Sequence, residues 1–180
     1  MKKNIILGIT GSIAAYKAAD IANTLNKEGR SVHTIMTRAG TEFITPLTLQ
    51  TLTKNKVYTD LFAPCAPSEV EHISLAQRAD LLLVAPASAN FIAKAAAGIA
   101  DDMLSTVLLA VRGIPILIAP AMNTAMYENP LTQRNIRTLK ELGFCFIEPR
   151  EAMLACGSLG KGALADTEQI LSAVREALGE

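Results

Sequence analysis

The sequence predicts a single-domain, doubly wound α/β fold: a parallel sheet with helices on both faces. Three observations predict it. First, two apolar runs end alike. Leu81-Leu82-Leu83-Val84-Ala85 leads into Pro86-Ala87-Ser88-Ala89-Asn90, and Ile114-Pro115-Ile116-Leu117-Ile118-Ala119 leads into Pro120-Ala121-Met122-Asn123. Each reads as a buried parallel strand whose C-terminal end opens into a loop of small and amide residues. Second, strand-like and helix-like segments alternate along the whole chain. Third, 50% of the residues are hydrophobic but 4% are aromatic, and none is Trp. Such a core is built from Ala, Leu, Ile and Val, as in a sheet covered by helices. A length of 180 residues suits one domain, with no linker and no further internal repeat.

The elements follow in order. Asn4-Ile5-Ile6-Leu7 is a short buried strand, and Gly8-Ile9-Thr10-Gly11-Ser12 is its turn. Ser12 caps a helix with Ile13, Tyr16, Ile21 and Leu25 as its apolar positions, ended by Gly29. Residues 31–36, with Val32, Thr34 and Ile35, form the second strand. Residues 41–55 hold one or two short helices, with Pro46 near a helix start. Residues 60–71, with Pro64 and Pro67, read as a surface loop, and residues 72–79 as a short helix leading into the Leu81 strand. Residues 89–98 form a helix of small side chains, including Ala93, Ala95, Ala96 and Ala97, suited to close packing on the sheet or on another subunit. Asp101-Asp102 caps a helix over 103–111. Asn129-Pro130 starts one that Gly143 ends, and Phe144-Cys145-Phe146-Ile147 is the fifth strand. Residues 148–165 read as a Gly-rich loop. Asp166 then caps the last helix, with Gln169 as the reciprocal partner.

Composition excludes several roles. Seventeen basic residues balance seventeen acidic ones, so nucleic-acid binding has no electrostatic support. No apolar run approaches the roughly 18 residues of a membrane span. Met1-Lys2-Lys3 resembles the start of a signal peptide, but the apolar run after it is broken by Gly8 and Gly11. Cys65, Cys145 and Cys156 form neither a disulfide framework nor a zinc pattern, which points to a reducing, cytoplasmic setting. No metal site is expected: neither His33 nor His72 has a ligand partner at helical or knuckle spacing.

In open α/β sheets ligands sit at the carboxyl ends of the strands. The turn Gly8-Ile9-Thr10-Gly11-Ser12 matches neither the dinucleotide fingerprint nor the P-loop. Its N–H groups and the Ser12 hydroxyl can hold one phosphate, although any strand-to-helix turn needs a glycine and a cap. The second strand ends near Thr37 rather than in a ribose-gripping acid, so a mononucleotide such as a flavin fits better than NAD. Ser88, Asn90 and Ser105 are caps or hydrogen-bond groups for a flat, heteroatom-rich ring. Asn123 offers donor and acceptor to a carboxylate, or caps the turn at Thr124. His72 is a solvated surface residue or a titrating group, and His33 belongs mid-strand, in the core. Cys156 lies in a loop of three glycines that can close over a ligand, where a thiol can donate a proton. Cys65 is incidental, and Cys145 sits inside a strand.

Several blocks, in order, carry a resemblance. They are Gly11-Ser12-Ile13-Ala14-Ala15-Tyr16-Lys17, His72-Ile73-Ser74-Leu75, Ala85-Pro86-Ala87-Ser88-Ala89-Asn90, Pro120-Ala121-Met122-Asn123-Thr124-Ala125-Met126-Tyr127 and Ala155-Cys156-Gly157. Together they resemble the homo-oligomeric flavin-containing cysteine decarboxylases, over nearly the whole chain. Tyr127 stands where that signature has Trp. The resemblance implies a Rossmann-like (flavodoxin-like) sheet. It implies FMN held by Gly11, Ser12, Ile13, Thr37, Ala39, Ser88, Ala89, Asn90 and Phe91, with Ser105 and Ala121 nearby. The substrate side would be Asn123, Met126, Met153, Ala155 and Leu164.

The activity implied is decarboxylation of 4′-phosphopantothenoylcysteine to 4′-phosphopantetheine, in coenzyme A biosynthesis. The cysteinyl thiol is oxidised to a thioaldehyde, carbon dioxide leaves as charge moves into the C=S group, and the enethiol is reduced again. In that scheme His72 is the base or electrostatic partner of the oxidation, Asn123 holds the carboxylate, and Cys156 donates the final proton. A homo-oligomer (trimer or dodecamer) with the flavin between subunits is implied, as is the free-standing form, with a separate synthetase acting upstream. The alternatives are a peptidyl-cysteine decarboxylase, a flavin prenyltransferase of the same fold, and a non-enzymatic flavin-binding regulatory subunit. The Cys-Gly pair argues against the first, and His72, Asn123 and Cys156 together argue against the last.

Overall fold

Along the first strand Ile5, Leu7 and Ile9 face one side and Ile6 the other, and all are buried. A strand apolar on both sides belongs in the middle of a covered parallel sheet, and that is where the computed structural model places it. The structure describes residues 2–63, 70–153 and 159–180. The main sheet comprises β1 (Asn4–Ile9), β2 (Ser31–Met36), β3 (Val57–Tyr58), β4 (Leu81–Ala87), β5 (Ile116–Pro120) and β6 (Cys145–Phe146). Their order is β3-β2-β1-β4-β5-β6, all parallel. Without the two-residue β3 this is the flavodoxin-like order. With it, the sheet has the Rossmann order, and the direction of winding switches between β1 and β4.

Two apolar layers cover the sheet. Ile5, Leu7, Ile9, Leu81, Leu83 and Ala119 pack under α1 (Ala18–Lys27), α3 (Pro46–Thr53) and α9 (Thr167–Ala177). Ile6, Leu82, Val84 and Ile118 pack under α4 (Glu71–Arg78), α5 (Ala89–Ala97), α6 (Met103–Ala110) and α8 (Pro130–Glu141). Each buried Leu or Ile contributes about 1.5–3 kcal/mol. The short helices α2 (Arg38–Thr41) and α7 (Thr124–Glu128) lie at strand ends. The doubly wound parallel main sheet and its buried central runs therefore follow the expectation.

Several local expectations need correction. The segment after Ser12 opens as a 3-10 turn over Ile13–Lys17 before α1 begins. Of the helix's expected apolar positions, Ile21 and Leu25 are buried, but Ile13 and Tyr16 are each 58% exposed, and Ala15, Ala18 and Ala22 take buried positions. The reason is local: the 3-10 turn rotates Ile13 and Tyr16 toward a cleft rather than the sheet. The stretch 148–165, expected to be a loop, holds an antiparallel hairpin of β7 (Arg150–Met153) and β8 (Leu159–Ala163). Asp166 is the N-cap of α9 but makes no side-chain cap hydrogen bond; its carboxylate pairs with Arg150 at 3.3 Å. Cys145 is exposed, because β6 is a two-residue edge strand. His33 is half-buried, near the Ser31 hydroxyl at 3.1 Å.

Pro46 starts α3, Asp102 caps α6 with Ser105 in a full capping box, and Asn129-Pro130 starts α8. On α5, Ala95 faces the sheet, whereas Ala93 and Ala97 are exposed. Among the described residues, no helix is long and apolar enough to cross a membrane, and no group of His, Cys, Asp and Glu can hold a metal ion.

Candidate active site

A cavity of about 1070 Å³ opens at the C-terminal ends of β1, β2, β4 and β5. It is as large as the upper end of common ligand sites, roughly 300–1000 Å³. Two neighbouring loops diverge where the winding reverses, and that divergence creates the space.

The first wall is the turn after β1. Thr10, Gly11, Ser12 and Ile13 line it. The Ser12 hydroxyl accepts from Ala14 N at 3.3 Å. A Cβ at position 11 would lie 2.6 Å from Ala39 Cβ, so only glycine lets this turn meet the loop after β2. Thr37 and Ala39 continue the wall, with Thr37 Oγ1 accepting from Gly40 N at 3.2 Å.

The next wall is the end of β4. Ser88, Ala89, Asn90 and Phe91 line it. Ser88 is the N-cap of α5, and its hydroxyl accepts from Phe91 N at 3.3 Å. Buried Thr10 joins the two walls: its hydroxyl donates to Pro86 O at 2.8 Å and accepts from Ser88 N at 2.8 Å. Beside Ile13, Asn90 and Phe91, these walls consist of glycine, alanine and short hydroxyl residues. A flat heterocycle can therefore approach the backbone closely, and one phosphate can reach N–H groups at helix starts.

The far wall is the end of β5 and the hairpin. Ala121, Met122, Asn123 and Met126 face Met153, Gly162 and Leu164 across it. Asn123 Oδ1 accepts from Ala125 N at 2.9 Å, so the side chain is held as the cap of α7. Exposed Ile13, Tyr16, Phe43, Met126 and Met153 make an apolar rim.

Charges on the lining favour an anionic ligand: Lys17, Arg38, Lys94 and Arg150 against Glu42 and Asp102. Lys94 is committed to Asp101 at 2.7 Å and Asp102 at 3.5 Å, and its hydrogen bond to the Asp101 carboxylate raises its pKa. Lys17 and Arg38 stand beside the Gly11 turn, and Arg150 lies on the hairpin side.

Of the residues expected at the site, the structure gathers Gly11, Ser12, Ile13, Thr37, Ala39, Ser88, Ala89, Asn90, Phe91 and Ala121 around the cavity. It also brings Asn123, Met126, Met153 and Leu164 there. Ser105 departs from expectation. It is 0% exposed and absent from the lining. Its hydroxyl donates to Asp102 and accepts from Asp102 N at 3.1 Å, because the capping box of α6 consumes it. His72 lies half-buried on α4, away from the lining. Ala155 and Cys156 fall outside the described residues.

Thr10, Lys17, Arg38, Phe43 and Arg150 line the cavity without having been singled out. Thr10 and Lys17 carried a signal, since they flank the Gly11-Ser12 turn. Arg150 carried none, because its place depends on the hairpin.

Comparison with known proteins agrees with this fold. The flavoprotein family profile matches residues 1–179. A probable phosphopantothenoylcysteine decarboxylase of Streptococcus mutans is 50% identical over 179 residues, covering 99% of this chain and 100% of that one. The coenzyme A biosynthesis bifunctional protein CoaBC of Bacillus subtilis is 48% identical over 178 residues, but this chain spans 44% of its length. A solved cysteine-to-serine variant of PPC decarboxylase, complexed with pantothenoylaminoethenethiol, superposes with a TM-score of 0.92 at 34% identity and full coverage of both chains. The FMN binding protein AtHal3 superposes with a TM-score of 0.87 at 35% identity, covering 98% of this chain and 96% of that one. With nearly its whole length matched and the cavity at its sheet switch point, the chain belongs to the flavoprotein family.

Proposed function

We propose that this chain is an FMN-dependent decarboxylase that converts 4′-phosphopantothenoylcysteine to 4′-phosphopantetheine and carbon dioxide. The observation that carries the reading is the single cavity joining two unlike walls. A small-residue wall with helix-start N–H groups, from Gly11 to Phe91, faces a wall bearing Asn123 and Met126. The names of relatives that match over nearly the whole chain point the same way.

The residues present fit FMN. Gly11, Ser12 and Thr37, with Lys17 and Arg38 beside them, would take its one phosphate, and Ser88 to Phe91 would line the ring. When bound, the flavin supplies reversible two-electron chemistry. The chain's own residues do the rest. Asn123, whose Oδ1 is held as the cap of α7, would hold the substrate carboxylate and orient it for loss of CO₂ in this reading. The exposed apolar rim of Ile13, Tyr16, Phe43 and Met126 would be covered by bound substrate, which would shield the reacting carbon from water. Cys156 is the proton donor to carbon in this reading, which rests on its sequence context.

His72 is the base or electrostatic partner. Since it lies away from this chain's own cavity, the reading requires it to come from a second copy, which makes the site a joint product of a homo-oligomer.

The test is direct. Purified protein should carry flavin absorbance and release CO₂ from 4′-phosphopantothenoylcysteine. Cys156→Ser should still release CO₂ but accumulate the unreduced enethiol. Mixing His72→Asn with Cys156→Ser protein should restore some activity through mixed oligomers. A protein that binds flavin yet leaves the substrate unchanged would refute the enzyme reading.

A further inference from the structure

Glu148 lies just before the hairpin, outside the cavity lining, and ties three elements together. Its Oε2 accepts from the Tyr127 hydroxyl of α7 at 3.1 Å and from Lys161 Nζ of β8 at 3.0 Å. Its Oε1 accepts from Lys140 Nζ of α8 at 3.1 Å. The Lys161 ammonium also sits 5.7 Å from the centre of the Tyr127 ring. Gln133 of α8 donates to Tyr127 O at 2.6 Å, holding the same residue from its backbone side.

The opposite face of β8 touches the segment that bears Asn123. Side chains alternate along a strand. Lys161 therefore points to Glu148, while Gly160 and Gly162 point to the β5 end. A Cβ at Gly160 would lie 2.4 Å from Thr124 Oγ1, and one at Gly162 would lie 2.4 Å from Met122 O. Met122 N donates to Gly162 O at 2.9 Å. The hairpin is thus seated on residues 122–124 by backbone on one side and gripped through Glu148 on the other.

Exposed ion pairs contribute about 0–1 kcal/mol, and the Glu148 side chain is 49% exposed. Stability alone gives this cluster little reason to exist. Tyr127, however, is only 7% exposed, and a buried phenol needs a partner. Burial pushes the Tyr127 hydroxyl up, and neighbouring Glu148 adds to that, so it stays a donor. Burial would raise Glu148, but hydrogen bonds from Lys161 and Lys140 outweigh it and hold the carboxyl below its usual value, so it stays an acceptor.

We propose that Glu148 is a positioning residue for the active site. By accepting from Tyr127 and Lys161 together, it fixes the Asn123-bearing segment against the β7–β8 hairpin. The catalytic consequence rests on the decarboxylase reading; the geometric one does not. Tyr127, at the position where the resembling signature has Trp, is the residue through which Glu148 acts on Asn123.

The experiment uses the flavin-loaded protein with Glu148→Ala, Tyr127→Phe and the double variant. Hydrogen–deuterium exchange is followed in residues 121–128 and 159–163, along with thermal melting, visible circular dichroism of the flavin and decarboxylation kinetics. Both single variants should exchange severalfold faster in those two segments, with β1 and β4 unchanged. Flavin content should stay near the parent's in both, and Tyr127→Phe should melt near the parent, whereas Glu148→Ala, which takes the acceptor from the buried Tyr127 phenol, should melt somewhat lower. In each, kcat should fall on the order of tenfold, the scale of a small misplacement. The double variant should be no worse than the worse single one, since both break the same link. Unchanged exchange in both segments, or losses that multiply in the double variant, would overturn the proposal. If the parent protein itself fails to decarboxylate, the functional reading falls, while the exchange data still decide the positioning role.

Discussion

Replacing Thr10 by Val tests the joint on which both cavity walls depend. Val keeps the shape and β-branching of Thr but lacks the hydroxyl. Thr10 is 1% exposed, and that hydroxyl donates to Pro86 O and accepts from Ser88 N, each at 2.8 Å. After the change Pro86 O still receives Thr10 N at 3.3 Å, so the carbonyl is not orphaned. The amide of Ser88 loses its acceptor in a partly buried place. One lost hydrogen bond costs about 1 kcal/mol, and an orphaned donor about 1–3 more. The total is about 2–4 kcal/mol, which for a domain of this size corresponds to a fall in Tm of about 4–16 °C. Thermal unfolding of the flavin-free protein measures it. Thr10→Ser, which keeps the hydroxyl and drops one methyl, should cost about 1 kcal/mol. Flavin titration should show weaker binding in the Val variant only, because Ser88 begins the wall along α5. If the Val variant melts within about 0.5 kcal/mol of the parent, or the Ser variant is the less stable one, the reasoning is wrong.

Three further changes separate the cavity from its supports. Gly11→Ala forces a Cβ to within 2.6 Å of Ala39 Cβ, and both atoms are fixed by backbone. Flavin affinity should drop at least about tenfold, with a stability loss of about 1–3 kcal/mol, as read by visible absorbance and melting. Ser105→Ala breaks the capping box of α6 and should cost about 1 kcal/mol. Its flavin affinity should stay unchanged, and a large loss would put Ser105 in the site after all. His33 has its pKa lowered from 6.5, by burial first and then by Arg78 and Lys2. The unfolded chain then binds the proton more readily than the folded one. Stability is whole above 6.5 and is lost as pH falls from there toward the folded value. His33→Gln should flatten the decline in melting temperature between about pH 7.5 and 5.5.

How much was legible depended on how local each signal was. The runs at Leu81 and Ile114 are apolar at every position, and a strand buried on both faces leaves that trace. Ser88 and Asn123 each follow such a run, so their place at the cavity was readable from order alone. β3 was not readable, because Val57–Tyr58 is two residues whose strand character comes only from pairing with Thr34 and Ile35. Nor was the hairpin readable. Gly160 and Gly162 suggested a loop, whereas they are there because Thr124 and Met122 leave no room for a side chain. Ile13 and Tyr16 sit at helix-like spacing, but the 3-10 turn presents them to the cavity.

The chain's composition and order determined the doubly wound sheet, its central strands, most of its helix caps and the end of the sheet that bears the site, since these depend on neighbours within a few residues. Tertiary structure alone decided what meets across that end. It joined Thr10 to Ser88, brought Gly11 against Ala39, seated the hairpin beside Asn123, withdrew Ser105 into a cap and left His72, half-buried on α4, off the cavity lining. Those outcomes depend on distances between residues far apart in the chain, and the local pattern of side chains carries no record of them.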